Sequence, residues 1–372
     1  MSKVLVVCTT DSMIWNFLIP HIKRLMEQGH IVECASSKTG SFFDDLINIH
    51  SLIMHQIDFE RSPYNIKNIR AYKTLNKLVE DNKYDAIFCH EPIGGIMGRL
   101  VGHKHKCKVI YMAHGFHFFK GAPIINNTIY YFVEKFFSRY TDVLLTINEE
   151  DYQATKKMYA KQRVKINGIG IDIHKFVCDT SCDKLRSEWK LKNSDFLLIS
   201  VGELIKRKNH LSVIKAIAKL NNPCIHFFIA GNGELKETIQ KQIKLLNLEN
   251  QVHLLGYRRD INELCNSADV FLLPSFQEGL SVALMEAMAC RKPIIASRIR
   301  GNIDLIDEEK GGILVDVCDV NGYAKAIQFM HDNRDILYEY GKYNEQKVKK
   351  FDIESVKKQL DPVYKKCLEV AL

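Results

Sequence analysis

The chain has 372 residues, 46% of them hydrophobic and 26% charged, with a formal net charge of +8. Such a length exceeds what one hydrophobic core usually organises and predicts two domains, while the balance of residues excludes a disordered or fibrous chain. The positive charge predicts anionic company (phosphate, nucleic acid or an acidic membrane surface) without choosing among them.

The opening "MSKVLVVCTTDS" enters a strand at once and lacks the features of a signal peptide. No apolar run approaches the roughly 18 residues that span a bilayer. The expectation is a cytoplasmic protein, with peripheral attachment at the inner face of the cell membrane as its extension. Eleven cysteines are scattered, mostly in apolar strands (Cys8, Cys34, Cys89), with no CxxC pair, which predicts free thiols in a reducing compartment.

Strand-like apolar runs then alternate with helical periodicity. "KVLVVC" is followed by a helical stripe of Leu18, Ile22 and Leu25, and then by "HIVECAS", "YDAIFCH", "CKVIYMAH", "TDVLLTIN" and "VKINGIGI". A polar stretch, "FVCDTSCDKLRSEWKLKNSD", breaks the pattern near residue 176. A second series follows: "FLLISVGEL", "IHFFIAGNG", "VHLLGY", "DVFLLPS", "PIIAS" and "GGILVD". Continuously apolar strands alternating with helices predict parallel sheets covered on both faces. The predicted fold is α/β, two doubly wound, Rossmann-like domains facing a central cleft. The first spans 1–175 and the second 176–350; a helix over 351–372 is expected to pack back on the first. Ligands of such sheets bind beyond the carboxyl ends of the strands, so functional residues belong in the loops there.

Four loops of the second half meet that condition. After "DVFLLPS" comes "FQEGLSVALMEAMACRKP", with Glu278 and Glu286 separated by seven residues. The free amides of Gly279, Leu280 and Ser281 at the helix start suit phosphate, and the two carboxylates suit hydroxyl-rich ligands. "SVGELIKRKNH" places Gly202 at a strand end and offers Lys206, Arg207 and Lys208 to a diphosphate. "IAGNGELK" places Gly231, Asn232 and Gly233 where a side chain would obstruct a nucleotide. In "LLGYRRD", Tyr257 is the candidate to present backbone to a base and Arg258 to reach phosphate. Taken singly, each loop also reads as a turn or a solvated helix start; four in one half point to one site.

In this combination and order, the C-terminal half resembles the nucleotide-sugar domain of family 4 retaining glycosyltransferases of the GT-B fold. The resemblance continues into the first half through "DFERSPYNIKNIRAYKTLNKLV", "HEPIGGIMGRL", "YMAHGFHFFKGAP" and "SRYTDVLLTINEEDY". These are similar to the subgroup that builds bacterial capsular and exopolysaccharide repeat units. The resemblance implies that Glu278 lies against the transferred sugar and Glu286 holds the ribose hydroxyls. It also implies that Gly279 and Leu280 cover sugar and diphosphate, and that Lys208 holds the diphosphate. Glu203 stands where such enzymes commonly carry an arginine, so Lys206 or Arg207 is the expected substitute. His114, directly after a strand, is the implied catalytic imidazole beside Glu278. Thr10, Asp11, Ser12 and His117 are candidate acceptor contacts. The first loop, "CTTDSMIWN", lacks the glycine pair of many relatives.

By the same resemblance the donor is a nucleotide sugar, read as UDP-linked, and the acceptor a saccharide on a polyprenyl diphosphate. Retention by front-face attack assisted by the leaving phosphate is the implied mechanism. No Asp-x-Asp follows a strand, so neither metal nor cofactor is required by the sequence. "GHKHKCK" has His103, His105 and Cys107 at a spacing that suits no standard zinc site. "NNTIYYFVEKFFSRY" is amphipathic and reads as the edge of a core helix, with membrane contact through the first domain as the other reading. No nucleic-acid module is recognisable. Two alternatives stay open, a nucleotide-sugar epimerase and a catalytically silent membrane-assembly subunit.

Overall fold

The structure, a computed structural model, describes residues 1–177, 179 and 182–368. Three residues of the polar break (Cys178, Thr180, Ser181) and the last four of the expected C-terminal helix therefore lie outside the described residues. The chain divides into two compact units, residues 1–170 with 353–372 and residues 171–352.

The first unit holds seven strands: β1 (Lys3–Thr10), β2 (Ile31–Ser37), β3 (Ile53–Gln56), β4 (Ala86–His90), β5 (Lys108–Ala113), β6 (Val143–Thr146) and β7 (Gln162–Lys165). All pair in parallel, in the order β3-β2-β1-β4-β5-β6-β7. The second holds β8 (Phe196–Val201), β9 (Ile225–Ala230), β10 (Val252–Gly256), β11 (Val270–Leu273), β12 (Ile294–Ser297) and β13 (Gly312–Val315), also parallel, ordered β10-β9-β8-β11-β12-β13. Both sheets thus reverse strand order beside their first strand, between β1 and β4 and between β8 and β11. At such a switch point the flanking crossovers run to opposite sides and leave a crevice at the carboxyl edge.

Eight helices matter below: α1 (Ile19–Glu27), α2 (Lys67–Asn82), α3 (Pro92–His105), α4 (Tyr131–Phe137), α5 (His210–Leu220), α6 (Val282–Ala289), α7 (Val320–Asp332) and α8 (Ile353–Leu368). Leu18, Ile22 and Leu25 are buried as one stripe. On one face of the first sheet, Leu5, Val7, Ile87, Val109 and Tyr111 form a core with Leu75 and Val79 of α2 and Met97 and Val101 of α3. In the second unit, Phe196, Leu198, Phe227 and Ile229 pack under Val213 and Ile217 of α5 and Tyr323 and Ile327 of α7. Burial on this scale is the main force holding parallel sheets together.

The expected strand "VKINGIGI" is shorter than its apolar pattern suggests. It stops at Lys165, because Gly168 and Gly170 take φ of 75° and 80°, outside the extended region. Helix α8 packs into the first unit: Tyr364 is buried edge-on to Phe88 with ring centroids 5.8 Å apart, and Asp361 pairs with Arg24 at 2.7 Å.

Candidate active site

At the switch point of the second sheet, the loop after β8 and the loop after β11 meet. Phe276 N–H donates to Arg207 O at 2.8 Å, and Asn209 Nδ2 donates to Pro274 O at 3.0 Å. These bonds bring Glu278, buried, between two cations. Its Oε1 lies 2.8 Å from Lys208 Nζ, itself buried, and its Oε2 lies 3.0 Å from the Arg207 guanidinium. Burial alone would push the Glu278 carboxyl up, but Lys208 and Arg207 outweigh it and hold the group below its ordinary value. Lys206 and Glu203 of the same loop are exposed.

Buried Arg300, after β12, donates through Nε to the Glu278 carbonyl at 3.2 Å. The next residue, Gly301 (φ 77°), lies so near the Gly279 carbonyl that an added Cβ would stand 2.3 Å from it. Helix α6 begins beyond this loop, with Ser281 as its N-cap, its side chain accepting from the Leu284 amide. Leu280 is buried there. One turn on, Glu286 has no cation or hydrogen-bond partner for its carboxyl among the described residues, and burial pushes its pKa up to about 7.

Two expectations change in form. The glycines of "GNG" are required by protein, since a Cβ on Gly231 would stand 1.9 Å from Gly202 O and one on Gly233 2.5 Å from Leu204 O. Backbone bonds zip these loops together, Leu204 N–H to Asn232 O at 2.9 Å and Gly231 N–H to Gly256 O at 2.7 Å. Arg258, expected to reach phosphate, is held instead by Asp260 (2.5 Å) and Glu188 (3.2 Å), which neutralise its charge. Tyr257 beside it is exposed.

In the first unit the loops after β1 and β4 meet at the other switch point. Glu91 accepts from the amides of Thr9 (2.8 Å) and Thr10 (3.1 Å) through one oxygen, and Gly94 N–H donates to Thr9 Oγ1 at 3.1 Å. Glu91 has φ 60° and ψ 162°, a conformation that costs a non-glycine residue on the order of 1–3 kcal/mol and tends to occur at functional sites. Asp11 is fully buried and accepts from the Ser12 amide and from the amide and hydroxyl of Thr39, so it ties two loops together rather than facing a ligand. Thr10 is buried, and its hydroxyl accepts from Ser12 Oγ at 3.1 Å.

His114, after β5, stacks on the fully buried His90 at the end of β4, with Nδ1 of His90 and Nε2 of His114 3.0 Å apart. Burial, with His21 nearby, lowers the His114 pKa to about 3. His117 is exposed and leans on Tyr130, with ring centroids 5.2 Å apart. His103, His105 and Cys107 go to separate partners, the Tyr140 ring, Asn76 Oδ1 and Tyr84 O.

Sequence reasoning passed over His90, Glu91 and Arg300. Each had a local signal: "HEP" directly after a strand forces the residue before proline into extended ψ, and "RG" follows the end of β12.

Two family models cover most of the chain: "Glycosyl transferase 4-like" over residues 3–148 and "Glycosyl transferases group 1" over residues 182–348. The chain is 32% identical to "Putative glycosyltransferase EpsD" of Bacillus subtilis, covering 97% of this chain and 96% of that one. It is 31% identical to the UDP-Gal:alpha-D-GlcNAc-diphosphoundecaprenol alpha-1,3-galactosyltransferase of Escherichia coli, over 72% of each. Among solved structures, Anabaena HepE in complex with UDP superposes with a TM-score of 0.81 at 18% identity, covering 98% of this chain and 100% of that one.

Proposed function

Since the chain belongs to the GT-B glycosyltransferases of the group 1, family 4-like type and is an enzyme of that class, we propose the following reaction. It moves a hexose or N-acetylhexosamine, with retention, from a UDP-linked donor to a polyprenyl-diphosphate-linked saccharide in the synthesis of a bacterial surface polysaccharide. HepE is seen with UDP, and the E. coli relative is named for UDP-Gal and a diphosphoundecaprenol acceptor, which supports the choice of both substrates.

The observation that carries the reading is Glu278 bracketed by Lys208 and Arg207 at the switch point, eight residues before Glu286, whose carboxyl has no partner among the described residues. As the anomeric bond breaks, negative charge grows on the departing diphosphate. Lys208, Arg207 and the amides of Gly279 to Ser281 stabilise that charge, fixed in place before the reaction begins. Glu278 accepts from sugar hydroxyls, Glu286 from the ribose diol, and Arg300 fixes the Glu278 backbone. In the first unit, His114 is the candidate to orient a reacting hydroxyl. The acceptor hydroxyl attacks the face the diphosphate leaves, and its proton passes to the leaving phosphate oxygen. No step requires a metal ion, and protein carboxylates need not form a covalent intermediate.

Thermal unfolding with UDP, GDP, ADP, dTDP and CMP tests the donor site. At about a hundred times its dissociation constant, a nucleotide adds ~2.7 kcal/mol, which raises the midpoint by several degrees. A UDP-specific rise that disappears in Lys208→Ala is expected, with UDP release on adding a lipid-linked acceptor. Release that does not depend on acceptor, or no UDP-specific rise, would overturn the reading.

A further inference from the structure

In the first unit, the helical segment of residues 124–137 turns an apolar stripe outward. Ile125, Ile129, Phe132 and Phe136 recur at intervals of four, three and four residues and are 60%, 48%, 64% and 45% exposed; Ile124 before them is 84% exposed. Apolar residues at that period normally face a core. Here the inner face is already satisfied: Glu134 turns inward to the fully buried Arg99 at 2.8 Å, and Tyr131 packs against the core. The outward stripe is therefore surplus to folding, and a contiguous exposed apolar face marks an interaction surface.

The charges around it choose the partner. Between Lys120 and Tyr140 the sole carboxylate is the inward Glu134, whereas Lys120, Lys135 and Arg139 are cationic. Arg139 lies over the Phe136 ring at 4.3 Å, and both Lys135 and Arg139 lie 5.5 Å from the centroid of exposed Tyr159. Apolar side chains flanked by amphipathic aromatics and cations, with no exposed carboxylate on the segment itself, match the boundary between acyl chains and anionic headgroups. A second copy of this chain fits less well, because two such faces would bring Lys135 and Arg139 of each against one another with no carboxylate on the stripe to pair them. None of the helices in the described residues is long and apolar enough to cross a membrane, so the mode is docking at the surface.

We propose that the outer face of residues 124–137 seats the first unit on an anionic lipid surface, with Ile129 and Phe132 below the headgroups and Lys135 and Arg139 among them. The purpose of that contact rests on the lipid-linked acceptor proposed above; its physical basis does not.

The test is sedimentation of the full chain with vesicles of phosphatidylcholine alone or with about one-third phosphatidylglycerol. Wild type should bind the anionic vesicles and release as salt rises. Ile129→Gln with Phe132→Gln should lower that binding by about tenfold or more, and Lys135→Gln with Arg139→Gln by several-fold on the anionic vesicles alone. An unchanged thermal midpoint and UDP response in both variants verifies that they are folded. Wild type that ignores anionic vesicles, or an Ile129/Phe132 variant that binds like wild type, overturns the proposal. A lipid-free dimer abolished by the Ile129/Phe132 variant also overturns it and assigns the face to self-association. UDP release is measured separately, so failure of the transferase reading and failure of this one are distinguishable.

Discussion

His90 Nδ1 and His114 Nε2 share one proton across 3.0 Å at the carboxyl edge of the first sheet. His90 Nε2 is buried with no protein partner among the described residues, so a proton there would leave a donor unsatisfied at a cost of about 1–3 kcal/mol. The less costly arrangement puts the proton on His90 Nδ1, which donates to His114 Nε2. His114 is then left with an N–H at Nδ1, the nitrogen that has no protein partner among the described residues. In the proposed reaction that N–H would meet a substrate oxygen as a donor rather than as a base.

Asparagine at position 90 can place its amide N–H near the position of the imidazole Nδ1–H, whereas phenylalanine cannot. Turnover should fall about tenfold or more in His90→Phe and recover largely in His90→Asn, by the energy of one buried hydrogen bond. The UDP-induced thermal shift should stay unchanged in both. Equal turnover in the two variants would show that the ring only fills space.

Burial lowers the pKa of His21 to about 4 and that of His114 to about 3, and holds His90 well below its ordinary value. The unfolded chain therefore binds more protons below about pH 6.5, and stability, fully present above it, is lost as pH falls. Urea midpoints should decline from pH 7 to pH 5, less steeply in His90→Asn.

Glu278 pairs with Lys208 and Arg207 and offsets part of their charge, and these are the same cations proposed to hold the diphosphate. Glu278→Gln should therefore strengthen UDP binding by about twofold to tenfold, the energy of one charge-assisted bond shared between partners, while lowering turnover. Lys208→Ala should weaken UDP binding. Calorimetry with UDP checks both, and weaker UDP binding in Glu278→Gln would remove the competition.

Glu286, with its pKa near 7, is partly protonated at neutral pH. Its folded value is raised, so the stability it contributes is greatest below about pH 4.5 and is lost as pH rises through 7. Hydroxyl donors favour the ionised carboxyl, so UDP affinity should rise from pH 6 to pH 8 with proton release. Glu286→Gln should flatten that dependence, measured by calorimetry in buffers of different ionisation enthalpy.

A methyl group on Gly231 has no space beside the Gly202 carbonyl. Gly231→Ala should destabilise the chain by about 1–3 kcal/mol and should also weaken UDP binding by displacing the loop that carries Lys208. Denaturant midpoints with and without UDP separate the two effects.

The two-sheet architecture was legible because strands buried on both faces are apolar at almost every position, as in "FLLISV" and "IHFFIA". The loops were legible because glycines and charges directly follow those runs. What the sequence hid are pairings over long separations. Arg258 reads as a phosphate ligand until Glu188, 70 residues earlier, is seen beside it. Asp11 reads as a ligand contact until Thr39 occupies its oxygens. Glu91 has no visible purpose until the Thr9 and Thr10 amides arrive from another strand. The stripe from Ile125 to Phe136 has the period of a core helix, and only exposure shows that its apolar face is turned outward.

Helix α8 completes the unit that the N-terminus begins: Ser2 Oγ donates to Leu368 O at 2.8 Å, and Val356, Leu360 and Tyr364 are buried. On the ribosome the contiguous second unit, residues 171–352, emerges whole while the first still lacks α8. The portion made earliest is finished last, and until then Phe88 lacks its cover by Tyr364. Loss of residues 353–368 would thus harm the half of the protein built from residues 1–170.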